Sequence, residues 1–423
     1  MVKRTVPVIS GEKRTGSGNH DWVSSEGRVL WKRSHRLLLL FVAVLACMSV
    51  TGCWDRKEVN DLAIVTSAGL DRTENGDIEL AVEIIASEQE KRGNQTSANL
   101  QQGGSSSTIV RFATGETMGD AVTKLQLMLP RTIYWGQLKV LVVGERLSRH
   151  GFREQLDYVV RDNEVRLRIL PFICKGKVRD FFASPFSLEQ SKADFLQGEA
   201  VRVFHKPLTL NAVIQNLGNV TETVKVPYVN VPSKEKESNP YIQGYAAFSS
   251  DRMTGVLTGD MFSGLKWMIN QINRDIETVK LKGTTPPHVS LAVISAQTRL
   301  LPRLEGGKWH MDVRIKTDLG VIQNTTRFKT SNPKNVKEME KAVENHIRQK
   351  VERTIRHVQR MGTDVFGFGE AINRHSPEAW NKLQDHWKEE FAAMEVKVFI
   401  DANIRRIGMN IVPVGLPQEE EGK

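Results

Sequence analysis

The chain has 423 residues, 40% hydrophobic and 26% charged, with 59 Lys/Arg against 49 Asp/Glu. That balance excludes an intrinsically disordered chain and leaves room for two or three domains with cores of their own. The net charge of +10 divides into +5 on residues 1–52 and +5 on the 371 residues from Cys53 onward. So mild an excess argues against a nucleic-acid partner and suits an anionic membrane surface only weakly.

The first informative stretch runs from Trp31 to Trp54. Lys32, Arg33 and Arg36 precede an unbroken apolar run from Leu37 to Val50, which ends on Thr51-Gly52-Cys53. Positive, apolar, small-residue order is the layout of a secretory signal, and the run is shorter than the roughly 18–20 residues of a permanent membrane helix. Gly52-Cys53 looks like a bacterial lipobox. Cleavage between these residues would make Cys53 the new N-terminus, carrying an S-diacylglycerol group and an N-acyl chain. The competing readings are an anchor helix or a cut at another small residue, and the polar Trp54-Asp55-Arg56-Lys57 that follows weighs against them. Trp54 would sit at the headgroup level. Residues 1–28 are unlike a signal n-region, and a start at Val29 or Leu30 would give a compact leader; the nucleotide sequence decides it.

Leu62 to Val65 and Asp77 to Ile84 read as the strands of a hairpin around Asp71–Gly76, the second alternating apolar and acidic as a half-exposed strand does. No long tether therefore separates Cys53 from folded structure. Residues 88–107 are polar and loop-like. Met118 to Leu129 reads as a helix ended by Pro130, Leu138 to Val143 as a strand, Ser148 to Val160 as a helix and Val165 to Cys174 as a strand. Residues 188–217 look mainly helical and Val224 to Val231 returns to strand. A charged, proline-bounded stretch, 232–240, is the best linker. Strands at Tyr241–Phe248 and Met253–Leu257, a helix at Phe262–Ile272 and a boundary at Gly283–Pro287 follow.

Val289–Ser295 and the alternating run around Trp309–Thr317 read as strands. Asn332-Pro333 opens a long helix whose apolar residues, Val336 to Val358, recur every three or four positions until Gly362 ends it. Ser376-Pro377 opens another, with Trp380, Leu383, Trp387, Phe391 and Met394 on one face, and Val396 to Ile404 forms a closing strand. The expected fold class is mixed α/β (α+β), with helices packed on mixed sheets behind the signal peptide. The expected domains are 53–231, a small middle domain 241–282, and 288–412.

Chemistry-bearing residues are few. Of the three cysteines, Cys47 lies in the leader, Cys53 is the lipidation site and Cys174 lies in an apolar run, where a buried inert thiol is expected. His346 and His357 are read as solvated positions on the long helix rather than as metal ligands. Gly367-Phe368-Gly369 lacks the context of a phosphate loop and reads as a turn between helices. Arg131–Gly136 and Asp364–Gly369 mix aromatic, charged and glycine residues, which suits partner recognition and suits a packed turn. Trp380 and Trp387 read as core. No catalytic set, cofactor motif or metal motif can be picked out.

Four strings, in order behind the lipobox, resemble the Ger(x)C family, the C-subunit lipoproteins of spore germinant receptors. They are Gly52–Ala63 (GCWDRKEVNDLA), Arg131–Glu145 (RTIYWGQLKVLVVGE), Arg161–Leu167 (RDNEVRL), and Asp364–Gly369 (DVFGFG) with Trp380, Trp387 and Ile404–Gly408 (IRRIG). The resemblance implies a mixed α/β fold in three domains. It also implies a non-catalytic, lipid-anchored subunit on the outer face of the spore inner membrane of a spore-forming Gram-positive bacterium. Its partners would be an A-type and a B-type membrane subunit, in a complex that responds to small nutrients. The competing function is a solute-binding lipoprotein of a transporter, which would ask for two similar lobes around a hinged cleft.

Overall fold

The computed structural model describes residues 58–86, 108–184, 189–232 and 239–406, together with Phe41 and Val42. Cys53, the polar stretch 88–107 and most of the charged stretch 232–240 lie outside the described residues. The chain divides into two compact units, 1–60 and 61–423. The two sheets and the helices on them belong to the second.

The hairpin comes first. β1 (Leu62–Arg72) and β2 (Ile78–Ile85) pair antiparallel from Arg72↔Ile78 to Val65↔Ile84, and Gly76 takes a φ of +99° in the turn. β3 (Thr108–Gly115) extends the hairpin outward, and α1 (Met118–Leu127) follows, capped by the Thr117 hydroxyl. β4 (Thr132–Tyr134) and β5 (Val140–Gly144) both pair parallel to β1. The single helix expected over 148–160 is two: α2 (Glu145–His150) and α3 (Arg153–Arg161). They are separated because Gly151 turns to a φ of +112° and Phe152 is buried edge-on against Phe248, 5.1 Å between centroids. β6 is Leu170–Cys174, shorter than expected because residues 166–169 close a turn through Ile169 N–H to the Arg166 carbonyl.

α4 (Val178–Ala183), α5 (Lys192–Val203) and α6 (Leu210–Leu217) lead to β7 (Thr223–Asn230). β8 (Tyr241–Ser249) and β9 (Arg252–Thr258) complete the larger sheet, in the order β3-β2-β1-β5-β6-β7-β8-β9 with β4 on β1. Its centre, β1-β5-β6-β7, is parallel and its flanks are antiparallel. Parallel centres need cover on both faces. Here one apolar cluster gathers Leu80, Leu125, Leu141, Leu156 and Val213, and the other gathers Val142, Phe172, Phe181 and Leu196. This two-sided cover corrects the reading of β2 as half-exposed, since five consecutive residues from Leu80 to Ile84 are buried. Glu83 is tolerated there because its carboxylate accepts from Ser67 Oγ (2.9 Å), Thr108 Oγ1 (3.0 Å) and Lys192 N–H (3.0 Å).

α7 (Gly259–Met268) leads to the second sheet, β10 (Ile276–Lys280), β11 (His288–Glu305), β12 (Lys308–Asn324) and, after the helices, β13 (Glu395–Arg406). The stretch 241–282 thus supplies β8 and β9 to the larger sheet and β10 to the smaller. β11 runs far beyond the expected 289–295 because a two-residue turn, Gly306-Gly307 with φ of +58° and +77°, closes it onto β12 at Glu305↔Lys308. Both pairings of β11 are antiparallel, and β13 is parallel to β12.

α8 (Pro333–Met361) lies where the spacing predicts it. The Asn332 side chain accepts from Lys334 N–H at 2.9 Å, and Gly362 ends the helix at a φ of +64°. Met339, Val343, Ile347, Val351, Ile355 and Val358 are buried in the cluster that also covers one face of the larger sheet. Two carboxylates of this helix serve the edge strand: Glu340 accepts from Ile404 N–H (2.9 Å) and Glu344 from Ala402 N–H (3.2 Å), which occupies donors an edge would otherwise expose. α9 (Phe368–His375), α10 (Pro377–Leu383) and α11 (Trp387–Ala393) complete the layer. Among the described residues no helix is long and apolar enough to cross a membrane.

Gly264 on α7 faces α8 at close range. A Cβ there would lie 3.0 Å from the Lys350 carbonyl oxygen and 2.9 Å from Thr354 Cβ. Gly264→Ala is expected to destabilise by about 1–3 kcal/mol through overpacking. Thr354→Ala in the same chain should return part of the loss. Thermal unfolding of the three variants checks it, and a neutral Gly264→Ala would show that the helices separate without penalty.

Candidate functional site

Three of the four family-like strings meet at one place. Leu62 and Ala63, the last residues of the first string, and Ile64 after them pair in register with Thr132–Tyr134 of the second. The Gln126 side chain fixes the loop between α1 and β4, donating to the Arg131 carbonyl (2.8 Å) and accepting from Ile133 N–H (2.9 Å). Glu164, from the third string, accepts from Trp135 N–H at 3.2 Å, and Asp162 holds Glu164 in turn through its backbone N–H (2.8 Å). Ile133 and Trp135 are buried, so the aromatic content of this loop serves packing, while Thr132 and Gln137 face solvent.

The fourth string is a turn tied to the larger sheet. The Asp364 carboxylate accepts from Gly367 N–H (3.0 Å) and Gly369 N–H (2.8 Å), bonds that need Gly367 at a φ of +85°. Burial, reinforced by the neighbouring Glu370, pushes the Asp364 carboxyl up to about 6 against the pull of its backbone donors. Thr223 Oγ1 donates to the Asp364 carbonyl (2.9 Å) and Thr221 Oγ1 to Glu370 (2.5 Å), so the start of β7 anchors the turn. Phe366 and Phe368 are buried and Phe368 meets Phe391 edge-to-face at 5.7 Å, which is the packed-turn reading of this string. A side chain at Gly369 would collide with Thr221 and Trp380. Trp380 and Trp387 are core, 5.1 Å apart.

Of the histidines, His357 is half-buried on α8. His346 departs from the solvated reading. Its Nε2 lies 3.1 Å from Glu277 Oε2, which also accepts from Lys350 Nζ at 2.6 Å, while Glu277 Oε1 accepts from Trp267 Nε1 at 3.0 Å. Sequence reading missed this because Glu277 stands on an edge strand about 70 positions away. A five-residue alternation, with Glu277 and Val279 inward, is the only signal it leaves. Cys174 is fully buried, and burial together with Asp71 holds its thiol well above the ordinary range, so it is inert. Among the described residues no group of three His, Cys, Asp or Glu side chains is placed to hold a metal.

Burial alone would raise Glu277; the His346, Lys350 and Trp267 bonds overcome it and hold the carboxyl at about 2. A carboxyl depressed in the fold contributes stability that is present above its unfolded value near 4.5 and lost as pH falls toward 2. Acid unfolding should therefore remove on the order of 3 kcal/mol from this cluster over that window. Glu277→Gln should abolish that share of the acid sensitivity and lower stability at neutral pH, because Lys350 is left buried without its counter-charge. Denaturant titrations of both forms between pH 2 and pH 7 check it; parallel pH profiles would overturn the assignment.

Two family models match the chain in order. The one described as spore germination protein N-terminal domain matches residues 55–231, and the one described as spore germination B3/GerAC like, C-terminal, matches residues 243–408. The putative spore germination protein YfkR of Bacillus subtilis is 26% identical over 370 residues, 86% of this chain and 95% of that protein. Spore germination protein KC of the same organism is 25% identical, covering 90% of this chain and 98% of its own length. Spore germination protein GerQC of Bacillus cereus is 22% identical, covering 88% and 98%. The crystal structure of the GerBC protein aligns with a TM-score of 0.53 at 19% identity, over 80% of this chain and 96% of that one, and so shares the fold. Between them the two models span the strings that carried the resemblance from Asp55 onward, and the chain belongs to the Ger(x)C family of spore germination proteins.

Proposed function

We propose that this chain is the lipid-anchored C subunit of a spore nutrient germinant receptor. It is non-catalytic and acts with A-type and B-type membrane subunits at the outer face of the spore inner membrane. The observation that carries the reading is the order of features along one chain. A run that looks like a lipobox ends at Cys53, the first family model begins at residue 55, and the second runs to residue 408. β1 begins only nine residues after Cys53. A chain that short reaches at most about 30 Å, so an acylated Cys53 would keep the larger sheet beside the bilayer, where membrane subunits are. Interlocked loops near Leu62 would then lie on the membrane-proximal side, with Thr132 and Gln137 available to a partner. The transporter reading asks for two similar lobes. A nine-stranded sheet and a four-stranded sheet do not supply them.

Anchoring by one acyl chain is marginal and by two or more is firm, at about 0.8 kcal/mol per buried methylene. Cys53→Ala is expected to lose incorporation of labelled fatty acid, to leave the inner-membrane fraction of spores, and to slow germination on nutrients while the folded unit keeps its unfolding temperature. Labelling that persists in the alanine variant would overturn the modification. Unlabelled wild-type protein that still sediments with membranes would show that partners alone hold it.

A further inference from the structure

A cavity of about 790 Å³ opens between the larger sheet and the smaller one. Four cationic side chains from four elements line it: Lys206 in the loop before α6, Lys225 on β7, Arg299 on β11 and Arg374 on α9. No Asp or Glu lines it. Among the described residues none of the four makes an ion pair; Arg299 reaches only the Gln297 amide oxygen, at 3.4 Å. Gathering like charges in a concavity is unfavourable to the fold and focuses a positive field on its interior.

A second concavity of similar size shows what an inert charged surface looks like in this protein. At the carboxyl ends of β1, β5 and β6, a cavity of about 770 Å³ is lined by Glu74, Glu79, Glu145, Arg146, Arg149 and Arg179. There the charges satisfy one another, Arg149 with Glu145 at 2.7 Å, Arg146 with Glu74 at 3.3 Å, and Arg179 with Glu79. The cavity between the sheets lacks that internal neutralisation.

Two further observations point to a ligand. Tyr245 is 4% exposed, lines the cavity, and its hydroxyl makes no hydrogen bond among the described residues. That oxygen is not among the enclosed polar atoms left without a partner, so it opens to the cavity. Lys225 is held below the ordinary lysine range by burial, against the pull of Glu370 and Asp364 behind it. Phe366, Leu208 and Met268 give the cavity an apolar wall. Its rim is built by side chains that clamp the two layers. Gln271 bonds both backbone groups of Lys206 (3.1 and 3.2 Å), and Asn270 bonds both of Thr298 (2.6 and 3.1 Å).

We infer that this inter-sheet cavity binds a small organic anion, its negative group held by Lys225, Arg374, Arg299 and Lys206 with the Tyr245 hydroxyl, and its apolar part laid against Phe366. Such a ligand would bridge the segments matched by the two family models. The inference needs neither the lipid anchor nor the partner subunits, so it stands or falls separately from the proposed role.

Titration calorimetry on the full chain in an uncharged detergent, at constant ionic strength, tests it with benzoate, phenyl phosphate, inorganic phosphate and neutral benzamide. Saturable one-site binding of benzoate or phenyl phosphate, with none of benzamide, is expected, and which of the two binds identifies the anion class. A charge-assisted bond is worth about 1.5–3 kcal/mol, so Lys225→Met and Arg374→Gln should each weaken binding about tenfold or more. Should Lys225→Met fail to fold, Arg374→Gln and Arg299→Gln, at exposed positions, carry the test. No saturable binding of either organic anion, equal binding of benzamide, or affinity unchanged in the variants overturns the inference. Binding of inorganic phosphate alone would reject the apolar half of the site.

Discussion

Four adjacent parallel strands, β1, β5, β6 and β7, have no solvent face, and that constraint organises the molecule. Each must be covered twice. α1, α3 and α6 supply residues to one apolar cluster. The opposite face is covered by α4 and α5 and is continuous with the cluster that buries α8 and the second sheet. The C-terminal layer is therefore part of the core of the N-terminal one, through residues such as Phe172, Tyr245, Trp267 and Phe368 in a single cluster.

Such extensive burial makes polar residues costly unless every group finds a partner. Glu83 and Glu277 answer this with bonds from hydroxyls, backbone donors, a lysine, a histidine and an indole. Asp71 does so at the end of β1, accepting from Val178 N–H at 3.0 Å and seating the first turn of α4. Asp364 does so by winding the DVFGFG turn around its own carboxylate. These groups fix register and loop shape. Of the four, Asp364 alone lies in a string that marks the family.

The fold and family bear on function through position. Family strings cluster where β1 enters the larger sheet, a short reach of chain from Cys53. Away from that end, the seam between the sheets carries unpaired positive charge and an unbonded phenol in a cavity. Neither feature requires catalytic chemistry.

Local pattern alone determined much of this protein. The Asn332-Pro333 start and Gly362 stop of α8, the hairpin at 71–76, the strands of the last third and the resemblance itself were all legible, because caps, turns and periodicity act over a few residues. Tertiary structure alone decided the rest. β2 is buried on both faces because distant helices cover it, and the helix expected over 148–160 breaks because Phe152 finds Phe248. His346 acquires a carboxylate from an edge strand about 70 residues earlier. Lys206, Lys225, Arg299 and Arg374 are unremarkable where they stand in the chain; only the packing of β7, β11 and α9 around one cavity makes them a cluster. Pairings between residues so far apart leave no local trace, since the free energy that selects them belongs to the assembled core.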